Sequence, residues 1–141
     1  MNMGKYILFP LFAVLLASCM SGPVDIGSEL TAAELVQRAQ EASDRNRYKI
    51  SLQYYEAVLE RFPQDMEYVC AAEYEIAFIH YKQKKYDEAR EEFTSLLARY
   101  DNNPDEELLP QQFKILSRKI LDTITEIENR RGKTRTPTGE E

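Results

Sequence analysis

From Thr31 to Asn129 the apolar residues return every three or four positions, and no stretch reads as an alternating strand. "TAAE" at Thr31 has the spacing of a capping box, so a first helix starts there and turns Leu35, Ala39 and Ala42 to one side. "SDRNR" (Ser43 to Arg47) reads as a turn. A second helix over 48–62 aligns Tyr55, Val58, Leu59 and Phe62, and Pro63 follows its end. A third over 68–83 carries Ile76, Ala77, His80 and Tyr81, and "KQKK" turns the chain again. "YDEAREEFTSLLARY" is a fourth, with Ala89, Phe93, Leu96 and Leu97 inward, closed by "DNNP". A last helix begins at Glu106 or Pro110 and ends at Asn129, with Phe113, Leu116, Ile120, Ile124 and Ile127 inward. Residues 130–141 are polar and unpatterned and read as a disordered tail. The pattern predicts an all-α domain over 29–129.

The start of the chain is different. Lys5 precedes eleven almost wholly apolar residues, Tyr6 to Leu16, and then small residues lead to Cys19. Crossing a bilayer as a helix takes about 20 apolar residues, so this run is too short to be a span. A charged start, a short apolar run and small residues before a cut describe a secretory signal. Leu16-Ala17-Ser18-Cys19 resembles the lipobox of bacterial lipoproteins. The resemblance implies that residues 1–18 are removed and that Cys19 becomes the acylated first residue. Residues 19–28, with Gly22, Pro23 and Gly27, then read as a lipidated flexible tether. Its nine residues beyond the cysteine reach about 30 Å at full stretch.

Composition narrows the rest. Removing 1–18 leaves 123 of 141 residues, room for one domain. The formal charge of −6 becomes −7 once Lys5 is lost, which disfavours nucleic acid and anionic lipid as partners and leaves membrane attachment to the acyl chains. Two or more acyl chains hold a protein stably, whereas one does not. With Cys19 acylated, Cys70 is the remaining thiol, so the fold is held by packing without an intrachain disulfide. No glycine lies between Ser28 and Arg131, which suits long helices.

Two stretches repeat at an offset of 38 residues. Tyr48 matches Tyr86, Ser51 matches Ala89, Tyr55 matches Phe93, Val58 matches Leu96, and Leu59 matches Leu97. The small member lets a neighbouring backbone approach, and the aromatic member fills the gap one turn later. This pattern resembles the tetratricopeptide repeat (TPR), and "EYEIAFIHYKQKKYDEA" follows that family's first-helix wording. Ile76, Ala77 and His80 stand for its leucine, glycine and tyrosine, while Glu73 replaces its tryptophan and Arg38 replaces a leucine in the first repeat. "FKILSRKI" looks like a further first helix, read as the terminal cap a solenoid needs. The expected architecture is an α-solenoid of about two helix pairs plus a C-terminal capping helix.

Lipobox, tether and "YYEAVLERFPQD" together resemble the BamD-type lipoproteins (also called ComL or YfiO) of the outer-membrane β-barrel assembly machine. Those proteins carry more repeats than this chain holds. The resemblance implies a periplasm-facing outer-membrane location and a non-catalytic scaffold. Its protein partners would be barrel-assembly subunits or unfolded outer-membrane proteins, with no cofactor beyond the lipid on Cys19. Met20 after the cysteine is not the aspartate that retains lipoproteins at the inner membrane of enteric bacteria. A TPR lipoprotein serving a solute transporter or envelope maintenance is the alternative. His80 and Cys70 read as packing residues and "YDEAREE" as a solvated face, so no catalytic or metal residue is assigned. Tyr74, Phe78 and Tyr81 form one stripe on the third helix, at positions where TPR proteins, with the residue at Lys82, touch bound peptides. The stripe is either a partner groove or core.

Overall fold

A computed structural model describes residues 24–135. The expected lipobox with Cys19 lies outside the described residues, as do residues 136–141. The elements are α1 (Ala32–Asp44), α2 (Tyr48–Arg61), α3 (Met66–Lys82), α4 (Tyr86–Asp101), a 3-10 turn (Glu106–Leu108) and α5 (Gln111–Arg135). Each helix packs antiparallel on the next, and α3 also touches α1 and α5. The protein is all-α, a small repeat-like array. Among the described residues no helix is long and apolar enough to cross a membrane.

Local sequence chemistry sets the helix ends. Glu34 N–H donates to Thr31 Oγ1 at 3.3 Å and Thr31 N–H donates to the Glu34 carboxylate at 2.9 Å, completing the capping box. Both repeat turns close identically. Arg47 N–H reaches Ala42 C=O and Lys85 N–H reaches His80 C=O, with Asn46 (φ 56°) and Lys84 (φ 63°) in the left-handed region. These positions are again 38 apart, so the repeat register extends to the backbone although neither turn has a glycine.

Two cores share α3. Ala72 and Ile79 join Leu35, Ala39, Tyr55 and Val58 on one side. Cys70, Tyr74 and Ala77 join Phe93, Leu96, Tyr100 and Ile124 on the other. A helix that is apolar on more than one face is a buried one, and α3 is the spine of the array. At the small repeat position Ser51 is fully buried and donates to the Ala39 carbonyl at 2.8 Å, a direct mark of close helix approach. Its repeat mate Ala89 is likewise fully buried. Ala89→Leu is therefore expected to overpack the α3–α4 contact and cost about 1–3 kcal/mol. The same change at exposed Ala98 should leave the melting temperature nearly unchanged. Equal losses at the two positions would contradict this register.

Three expectations are corrected. The tether does not extend to Ser28: from Val24 onward it is a strap fixed along α2. Val24 N–H donates to Gln53 Oε1 at 2.7 Å, and Arg61 donates to the carbonyls of Ile26 (3.0 Å) and Gly27 (2.9 Å). Val24, Ile26 and Leu30 pack against the α1–α2 core, which is why the segment is held. Secondly, Leu116 is 40% exposed, and Ser117 takes the inward position with Phe113, Ile120 and Ile124. Thirdly, α5 continues past Asn129 to Arg135. Arg130 bonds back to the Glu126 carbonyl, and the Arg131 guanidinium lies 5.0 Å over the Tyr86 ring, so side-chain contacts carry the helix beyond its apolar pattern.

Candidate functional site

The α3 stripe divides. Tyr74 is 7% exposed, with its ring 5.6 Å from Phe93, 5.5 Å from Phe113 and 5.8 Å from Phe78. It belongs to the core between α3, α4 and α5, out of a partner's reach. Phe78 and Tyr81 are half-buried, stacked on each other at 5.8 Å with 20° between their planes, and Tyr81 tilts against Tyr86 at 5.9 Å. Lys82 donates to Ser43 Oγ at 2.9 Å, and its ammonium lies 5.0 Å over Tyr48 and 5.2 Å over Phe78. The open part of the stripe is thus two stacked rings, with Tyr81 against Tyr86 of α4, and a cation held by Ser43 of α1 and Tyr48 of α2 before any partner arrives. Rings held by neighbours present area at small entropic cost.

Glu75 was not singled out by its pattern, yet it lies beside this cluster. Burial pushes its carboxyl above the ordinary carboxylate range, against the opposing pull of Lys82. The nearby Tyr55 hydroxyl is buried without a hydrogen-bond partner, and burial raises its pKa too. A carboxyl whose folded pKa is raised favours folding below its unfolded value of 4.5, and that advantage disappears as pH rises through the folded pKa. Glu75→Gln should therefore raise the melting temperature at neutral pH. The gain should vanish in acid below pH 4.5, where the native carboxyl is already neutral in both states. A pH-independent gain would mean that the charge is not the cause. The only hint in the sequence is a carboxylate inside the apolar run "YEIAFI".

His80 sits between two α4 carboxylates, with Nδ1 2.8 Å from Glu92 and Nε2 3.9 Å from Glu88. The contact ties α3 to α4 at the place where the repeat pattern puts a tyrosine. Glu73, in the tryptophan place, makes a two-pronged ion pair with Arg99 of α4, Nε to carboxylate at 2.9 Å. Cys70 is fully buried, and burial pushes its thiol up, away from the reactive thiolate. Cys19, which the sequence pattern marks as the expected lipidation residue, lies outside the described residues.

An uncharacterized protein of Treponema pallidum (strain Nichols) is 34% identical to this chain over 102 residues, which are 71% of the chain. The chain covers 41% of that protein's length, so the relative is much the longer. No family model and no solved structure matches the chain.

Proposed function

We propose that the chain is a lipid-anchored scaffold on the periplasmic side of the outer membrane, holding protein partners in β-barrel assembly as BamD-type proteins do. Cys19 carries the lipid, and the domain works without catalysis or cofactor. One observation supports this most: Phe78, Tyr81 and Lys82 form a preset aromatic and cationic surface on the central helix of a repeat-like array. Such surfaces bind polypeptide because rigid rings bury area with few rotors to freeze. His80 is engaged by the Glu92 carboxylate and Cys70 by core packing, which suits a scaffold.

Affinity purification from detergent-solubilised membranes tests the reading. Barrel-assembly subunits should co-purify with the wild-type chain, and Tyr81→Ala with Lys82→Ala should deplete them while the helix signal persists. Recovery of a transporter component instead would assign the scaffold to solute uptake. Recovery of neither would remove the partner-holding role.

A further inference from the structure

The acidic net charge hides a sorted distribution. Antiparallel pairing brings the α1–α2 turn, the α3–α4 turn and the C-terminal part of α5 to one edge of the array. Along that edge lie Ser43 and Tyr48 of the first turn and Tyr86 of the second, with the Arg131 guanidinium 5.0 Å over the Tyr86 ring. Its exposed cations are Arg45, Arg47, Lys49, Lys84, Lys85 and Arg131. Against them stand Glu41, Asp44, Asp87 and Glu88; Glu88 is already 3.0 Å from Lys85 and Glu41 3.8 Å from Arg45, which leaves Arg47, Lys49 and Lys84 as the cations that set the charge of the edge. The opposite edge carries Asp65, Glu67, Asp101, Asp105 and Glu107.

Helix electrostatics explain only part of this sorting. Cations near the C-terminal ends of α1, α3 and α5 meet the negative pole of each helix. Arg47 and Lys49 instead sit at the N-terminal start of α2, whose first turn has no acidic residue, and there the pole is positive. Arg45 and Arg47 also line an open cleft of about 470 Å³ with Arg38, Ile50 and Tyr54, opposed there by Glu34 and Glu41. Positive charge kept against the helix dipole, beside an open cleft, suits an external anion.

The strap leads to the same edge. It runs alongside α2, from Val24 at Gln53 to Gly27 at Arg61. Its first described residue, Val24, sits at Gln53, about 7.5 Å along the helix axis from Tyr48. Between Val24 and Cys19 the chain reaches about 17 Å, enough to pass the edge but not to stand far off it.

We propose that this basic edge rests on the anionic phospholipid headgroups of the bilayer that holds the Cys19 lipid. The array then stands on its turns, with the helices rising from the membrane and the acidic edge outermost. The orientation rests on the anchoring reading above, because the lipid brings the chain to the surface and the charge of this edge then selects which side faces it. A lipid and a basic patch are the two signals that together give stable attachment, and each cation near an anionic surface adds to it.

The test uses the mature acylated protein with a bimane-labelled cysteine at Gln83, on the basic edge, or at Gln64, on the acidic one; both are exposed, while Cys70 is buried. It is bound to phosphatidylcholine vesicles containing phosphatidylglycerol and a headgroup nitroxide lipid. Quenching should be several-fold stronger at Gln83. The difference should collapse on phosphatidylcholine alone, or after Arg47→Glu, Lys49→Glu and Lys84→Glu together. Equal quenching at the two sites on anionic vesicles, with Cys19 shown acylated by mass spectrometry, would overturn the orientation and leave the anchor standing. Should Cys19 carry no lipid, the anchor falls, and the unacylated chain decides the edge by pelleting. Pelleting with phosphatidylglycerol vesicles but not with phosphatidylcholine keeps the edge. Binding to polyglutamate with no preference between vesicles assigns it to acidic polypeptide and overturns the lipid proposal.

Discussion

Tyr74→Ala is expected to destabilise the domain by about 3–5 kcal/mol, the range for truncating a buried aromatic. The ring is 7% exposed and meets three other rings, from α3, α4 and α5, so its loss opens a cavity where three helices converge. A small domain has stability on the order of 5–15 kcal/mol, so this one change removes a large share of it. For a domain of this size the melting temperature should fall by more than about 10 °C. Tyr81→Ala, which trims a half-buried ring beside the open surface, should cost far less and act on partner binding instead. Circular dichroism melting of both variants checks the division. A Tyr74→Ala protein that melts like the wild type would return that ring to the surface.

Cys19→Ala should abolish lipid attachment completely. Lipoprotein processing requires the cysteine, so incorporation of labelled palmitate should disappear and the chain should stay at its precursor size, with residues 1–18 attached. Conversion of the same cysteine to serine should behave alike, because a hydroxyl does not replace the thiol as the acyl acceptor. Cys70 offers no substitute site, being fully buried in the α3–α4 core. Palmitate labelling that survives Cys19→Ala would show that the small-residue and cysteine pattern at Leu16 to Cys19 is not a lipobox.

Much of the fold was legible because periodicity and spacing report burial directly. Thr31 with Glu34, the matched pairs Ser51 and Ala89, Tyr55 and Phe93, and Val58 and Leu96 all occupy the places their spacing assigned. What stayed hidden depends on contacts made at a distance in the chain. Glycine and proline near Cys19 suggested a loose tether, whereas the alternation of Val24 and Ile26 was the signal for a strap packed on α2. The stripe of Tyr74, Phe78 and Tyr81 has one spacing but two environments, because α5 crosses Tyr74 and leaves Tyr81 uncovered; only the path of α5 decides that. Net charge, likewise, cannot reveal that antiparallel pairing gathers cations from distant turns onto one edge.

Photo-cross-linking from Tyr81 in intact cells reports whether a protein partner sits on the open part of the α3 stripe. A photoreactive residue at Tyr81 should give a discrete protein adduct, and the same residue at Gln64 on the far edge should give none. Adducts of equal yield from both positions, or an adduct from Gln64 alone, would contradict a partner seated on Phe78, Tyr81 and Lys82.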